Sequence, residues 1–151
     1  MLADLKDVKN VLEDLLDSQP LAVLATQGDG QPYTNLVAFA FSQDLQSLFF
    51  ATAQSTRKFA NLSADPRISM LVDNRTNNPS DFRWAKAVTV TGKAEKIDKE
   101  KEVEIKEAYL GKHPHLKDFL DSPSCALIRI RVETYYLVTR FQEVMEIHVR
   151  S

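Results

Sequence analysis

The stretch FFATAQSTRKFANLSADPRISMLVDN, residues 49–74, governs the reading of the whole chain. It starts as an apolar strand and turns at Ser55-Thr56 into a short helix that Asp65-Pro66 stops. RISMLVDN (67–74) then reads as a further strand. Two cations, Arg57 and Lys58, stand in the first turn of that helix. The macrodipole makes this end positive, so cations there are disfavoured by roughly a few tenths of a kcal/mol. A bound anion would reverse that sign. Ser55 or Thr56 can cap the helix. The free N–H groups of the turn suit a phosphate, with Arg57 offering a planar fork and Lys58 a point charge. A capped surface helix with two solvated cations is the competing reading. Position favours the phosphate, because the turn leaves a strand whose apolar neighbours suit a flat ligand.

Upstream, Leu5, Val8, Leu12 and Leu15 form one apolar stripe and predict an amphipathic helix over about 4–17. LAVLAT (21–26), the turn Gln27-Gly28-Asp29-Gly30, PYTNLVAFAF (32–41) and SLFFAT (47–52) then read as an antiparallel meander. Downstream, residues 75–83 are polar and aperiodic and predict a long loop. AKAVTVTGKAEKI (85–97) alternates and predicts a fifth strand. A charged helix over 98–110 is expected to close at Gly111, and Pro114 to open a short helix through Leu120. CALIRIRVETYYLVT (125–139) and EVMEIHV (143–149) complete the strands. The chain is therefore expected to be mainly β with flanking helices, an antiparallel barrel of six to seven strands forming one domain over 1–151.

Composition narrows the functions. A hydrophobic fraction of 44% and a charged fraction of 26% suit a soluble globular domain. The net charge of −2 and the lack of a basic stripe speak against nucleic acid. No apolar run is long enough to span a bilayer, and the N-terminus lacks the pattern of a signal peptide. The single cysteine, Cys125, excludes an intrachain disulfide and suits a reducing cytoplasm.

Around the cationic turn stand Asn35 on the second strand, Thr52 ending the third and Asn74 closing the fourth. All three are neutral hydrogen-bonding groups suited to a heterocycle or a polyhydroxyl chain, although Asn74 can equally cap its loop. Trp84 and Phe82 read as packing residues before ligand covers. His113 and His115 bracket Pro114 without a zinc pattern and are expected to face solvent. His148 on the last strand is the one plausible haem ligand, a partly buried strand histidine being the commoner case. Cys125 reads as a buried small hydrophobe. No nucleophile elbow, carboxylate pair or dinucleotide fingerprint is present. A phosphate grip without catalytic groups of its own suits a protein whose cofactor carries the chemistry.

The succession PYTNLVAFAF, LFFATAQSTRKFANL, ADPRISMLVDN and VTVTGKAEKI resembles the pyridoxamine 5'-phosphate oxidase-like family, the FMN-binding split β-barrels. Its most specific part is the strand–T–S/T-R-K–helix–D/N-P-R–strand order. The resemblance is clear over about 20–97 and weaker through YYLVTRF. It implies a homodimer with FMN in two interfacial clefts. Arg57 and Lys58 would hold the phosphate, assisted by Thr56 and the helix N-terminus, with Ser55 in the same turn. Thr52 and the strand edge Asn35-Leu36-Val37-Ala38 would follow the ribityl chain and isoalloxazine, and Asn74 would approach from the next strand. Where the vitamin B6 oxidases carry an arginine and a glutamine, this chain has Asn35 and Ala87. Their C-terminal substrate segment is not recognisable in FQEVMEIHVRS. The expectation is an FMN-dependent oxidoreductase that passes hydride or electrons from a nicotinamide donor to a small-molecule acceptor, and is no pyridoxamine phosphate oxidase. A flavin carrier, sensor or stress protein, or a deazaflavin- or haem-binding member of the fold, is the alternative.

Overall fold

The computed structural model describes residues 5–140 and 143–149. Asp4, the expected start of the first helix, lies outside them, as do Phe141, Gln142, Arg150 and Ser151 of the C-terminal segment. Helix α1 (Leu5–Ser18) turns Val8, Leu12, Leu15 and Leu16 into the core. Strands β1 (Leu21–Gly28), β2 (Gln31–Phe41) and β3 (Ser47–Ala53) follow, then α2 (Arg57–Ala64) and β4 (Arg67–Asp73). A short α3 (Asp81–Trp84) precedes β5 (Ala87–Ile97), α4 (Val103–Lys112) and α5 (Lys117–Asp121). Strands β6 (Cys125–Arg140) and β7 (Glu143–His148) end the described chain.

All pairings are antiparallel, in the order β3-β2-β1-β4-β5-β6-β7, and β3 pairs again with β6. That second pairing closes six strands into a barrel and leaves β7 outside on β6. Inward side chains such as Leu24, Phe39, Phe50, Met70, Val90 and Ile128 are fully buried and fill it. The alternation of these strands is a consequence of the period of two, which sends every second side chain inside.

The barrel is split along one seam. β2 meets β3 only over Phe39–Phe41 and Leu48–Phe50, so the first part of β2 diverges from β3. α4 bridges the gap. The Tyr109 hydroxyl donates to the Ala38 carbonyl at 3.2 Å, and His113 Nε2 lies 2.7 Å from the Phe39 carbonyl. The neighbouring Lys112 ammonium donates to the Leu16 carbonyl at the end of α1 (2.9 Å) and sits 3.8 Å from the Phe39 ring centroid. Burial pushes Lys112 down to about 8.

Several expectations are corrected. His113 is buried, not solvent-facing, because its ring bonds the Phe39 carbonyl, which Pro20 opposite, having no N–H, cannot serve. Trp84 and Phe82 are 70% and 73% exposed instead of packed, since α3 projects from the β4–β5 connection. That connection is not plain loop: the Asp81 carboxylate accepts the N–H groups of Thr76 and Asn77 and nucleates α3. α4 starts at Val103 and runs through Gly111, with His113 as its C-cap. His148 is exposed on β7, its Nδ1 3.1 Å from Thr134 Oγ1 and its Nε2 3.2 Å from the Glu146 carboxylate. Cys125 is a buried free thiol, as expected.

Candidate functional site

Thr52, Ser55, Thr56, Arg57 and Lys58 come together where β3 hands over to α2. Thr56 is the N-cap, with extended backbone and a hydroxyl that accepts the Phe59 N–H at 3.3 Å. The same hydroxyl donates to the Ala53 carbonyl (2.9 Å) and lies 3.0 Å from the hydroxyl of buried Thr52. The threonines thus brace the turn from inside. Ser55 is exposed and Arg57 is the first helical residue. Backbone N–H groups of Arg57 and Lys58 make no hydrogen bond among the described residues. A helix start normally finds partners for such donors.

The helix is seated by a polar contact that the sequence did not advertise. Asn61 is buried and its Nδ2 donates to Thr26 Oγ1 of β1 at 3.1 Å. Gly28 makes room for this, since a Cβ there would stand 2.6 Å from Asn61 Oδ1. Asp65 closes the other end, bonding Gln27 and both the backbone and guanidinium of Arg67. These bonds hold the Asp65 carboxyl well below the usual carboxylate range. The D-P-R element is therefore a clamp from α2 to β1 and β4.

Arg57 reaches across to β2, its guanidinium 5.9 Å from the Tyr33 ring centroid. Two residues along the same face stands Asn35, opposite Leu24 of β1. Its Oδ1 is buried with no hydrogen-bond partner among the described residues, while Nδ2 lies 3.5 Å from the Leu36 carbonyl. A buried amide oxygen without a donor costs about 1–3 kcal/mol, so the position calls for a ligand N–H or O–H. Neither Arg57 nor Lys58 meets a carboxylate among the described residues. Lys58 is half-buried, and desolvation lowers its pKa.

The remaining candidates divide. Val37 is buried, whereas Leu36 is 63% exposed and Ala38 half-exposed on the outer face of β2. Asn74 lies at the opposite end of β4 from Arg67. Its Oδ1 accepts the Lys86 N–H at 2.7 Å, and its own N–H donates to the Lys86 carbonyl at 3.1 Å. Within one chain it clamps the β4–β5 connection and stands apart from the cluster. Local patterning gives no functional signal at Tyr33 or Asn61. Gly28 in the Q-G-D-G turn is the available signal, although its pattern is that of a turn residue.

A closed six-stranded antiparallel barrel, split at one seam and carrying an anion-competent helix start, defines a split-barrel fold. The chain belongs to the pyridoxamine 5'-phosphate oxidase family, whose model matches residues 8–139. Similar solved structures include a heme binding protein from Mycobacterium smegmatis, with a TM-score of 0.79 and 18% identity over 89% of this chain. This chain spans 55% of that protein's length. A FAD-binding protein (mll6688) from Mesorhizobium loti has a TM-score of 0.66 and 24% identity, covering 84% of this chain and 89% of its own. General Stress Protein 26 from Bacillus anthracis has a TM-score of 0.73 and 20% identity, covering 94% and 98% respectively. At these identities the likeness is one of fold. No curated protein matches the chain in sequence.

Proposed function

We propose that this protein is an FMN-binding flavoprotein that passes hydride or electrons from a nicotinamide donor to a small acceptor. The observation carrying this is the start of α2: two cations without a carboxylate partner, beside backbone donors with no acceptor, among the described residues. A phosphate answers all of these needs at once. Arg57, Lys58 and the α2 amides would hold the phosphate of the cofactor, with Ser55, Thr52 and Thr56 shaping the turn. The β2 segment Asn35-Leu36-Val37-Ala38 would line its flat portion. Bound flavin supplies the electron chemistry. The chain's own residues orient it and exclude water from it. The orphaned Asn35 oxygen favours flavin over haem within this fold. Flavin brings N–H and ribityl hydroxyl donors, whereas haem offers a donor only on a protonated propionate. Asn35 and Ala87, in place of the arginine and glutamine of the vitamin B6 oxidases, support a substrate other than pyridoxamine phosphate. Unpaired Cys125 supports a cytoplasmic setting.

The visible spectrum of the purified protein tests this reading. The expected result is a flavin spectrum, in protein as isolated or after adding FMN, with a chromophore that runs as FMN once released by heat. A protein that stays colourless with added FMN would refute it. Reduction by NADH or NADPH, followed by steady turnover with an acceptor, is expected of an enzyme; reduction without turnover would make it a carrier or sensor.

The homodimer belongs to the same proposal. Leu36, Val23, Leu71, Thr89 and Tyr136 lie in one register across five strands on the outer face of the barrel. This row carries no charge. Exposed Leu36 stands on it, exposed Leu21 (49%) lies beside it two residues along β1 from Val23, and Leu36 adjoins Asn35 at the edge of the site. A second copy is the occupant proposed for this face, because an uncharged, partly apolar row beginning at the site suits a self-complementary contact. Leu36→Glu should convert a dimer into a monomer in sedimentation and weaken flavin binding with it. Unchanged sedimentation would place the contact elsewhere.

A further inference from the structure

Lys99 stands two residues beyond the end of β5 and turns its ammonium under the connection from α5 to β6. Its Nζ donates to the carbonyl oxygens of Leu120, Ser122 and Cys125, each at 2.7 Å. An ammonium has three protons, and here each has an acceptor. Within the connection two backbone bonds also act, Ser122 N–H to the Phe119 carbonyl (3.3 Å) and Cys125 N–H to the Ser122 carbonyl (3.0 Å), and the Ser122 and Ser124 hydroxyls lie 3.0 Å apart. Both backbone bonds involve residues that Lys99 already grips.

This connection supports the cationic turn directly. Ser124, within it, accepts the Gln54 N–H at 2.9 Å. Cys125 and Ala126 pair with Ala53 and Thr52, the last residues of β3. Gln54 then leads through Ser55 to the Thr56 cap, and its side-chain oxygen lies 3.4 Å from Lys96 Nζ. Lys99 therefore grips Ser122 and Cys125, which flank Ser124, and the Ser124 carbonyl in turn holds Gln54, three residues before the helix begins at Arg57.

We infer that Lys99 is a positioning residue for the anion-binding turn, setting where Gln54–Thr56 sit against the sheet. Its effect on cofactor binding rests on the flavin reading above; its hold on the turn does not. The three acceptors face one point, so a small cation can replace the lysine head where the side chain is removed.

Lys99→Ala tests this by amide hydrogen exchange at Gln54, with Val90 in the barrel interior as reference, beside FMN titration by fluorescence. The expected result is Gln54 exchange faster by about tenfold or more relative to Val90, a local opening and not a global one. FMN affinity is expected to fall by about tenfold as well, charge-assisted bonds being the strong ones. Ammonium chloride should restore both, and sodium chloride at equal ionic strength should not. Unchanged Gln54 exchange, or equal acceleration at Gln54 and Val90, would overturn the inference. If Lys99→Ala does not fold, Lys99→Gln carries the same comparison. If the wild-type protein ignores FMN, the flavin reading falls, and the exchange ratio still decides the role of Lys99.

Discussion

Replacing Arg57 and Lys58 together by alanine is expected to lower FMN affinity by at least about a hundredfold while leaving the barrel folded. Each charged contact to phosphate is worth about 1.5–3 kcal/mol, and every 1.4 kcal/mol is about tenfold in affinity. The protein without ligand should lose nothing, and removing cations from a helix N-terminus can add about 0.3–1 kcal/mol. Titration with FMN and a thermal melt on the same sample separate the two effects. A double variant that binds normally would reduce the pair to surface charges, and one that unfolds would make them structural. Lys58 adds a pH signature. Its folded pKa lies below that of the unfolded chain because half-burial disfavours the charge. The unfolded state therefore holds the proton more tightly, and this group's penalty fades as pH rises from its folded pKa towards the ordinary lysine value. Phosphate binding has the opposite slope: it favours the charged lysine, so affinity should fall as pH rises through the same window. Lys58→Ala should flatten both.

Gly92→Ala is expected to be the most damaging single-methyl addition in the molecule. A Cβ at Gly92 would stand 2.3 Å from the Arg131 carbonyl oxygen and 3.1 Å from Ile130 Cγ2. The position sits where the β5–β6 register shifts, with Thr91 opposite Thr134 and Gly92 opposite Val132. The bulge puts two β6 residues against one step of β5 and brings the backbones close. The obstructing atom is backbone, so relief requires breaking strand pairing in the barrel wall. A loss of about 3 kcal/mol or more is expected, a fall in Tm of roughly 6–12 °C for a chain of this size. Gly111→Ala is the matched control. Nothing lies within 4 Å of its Cβ and it sits inside α4, so a gain of about 0.5–1 kcal/mol is expected. Two melts decide the matter: equal shifts would mean that the close approach at Gly92 relaxes without cost.

The two glycines also mark how far local patterning reaches. Gly111 read as a helix stop, and the helix runs through it because His113 two residues on is drawn into a hydrogen bond with Phe39. Gly92 read as an ordinary residue of a Val/Thr strand, because the strand opposite, whose bulge makes the glycine necessary, begins 33 residues later. The lone Trp84 shows the same limit from the other side: its aromatic surface suggested packing, and the short α3 carries it out into solvent.

The features legible in the sequence were ones carried by neighbours along the chain. Alternation located the strands, the stripe Val8, Leu12, Leu15 located α1, and the order strand, Thr56 cap, Arg57-Lys58, helix, Asp65-Pro66-Arg67 placed the cationic turn. Those signals are local because hydrogen-bond periodicity, capping and turn chemistry act over three to five residues. That β3 pairs with β6 and closes the barrel emerges only in the folded chain, as does the buried Asn35 oxygen, unanswered among the described residues, two positions from the ring facing Arg57. The same holds for Asn61, which seats α2 on Thr26, and for Lys99, which holds the connection beneath the turn. The contacts among these join residues more than twenty positions apart, and their energy exists only once loop closure has brought them together.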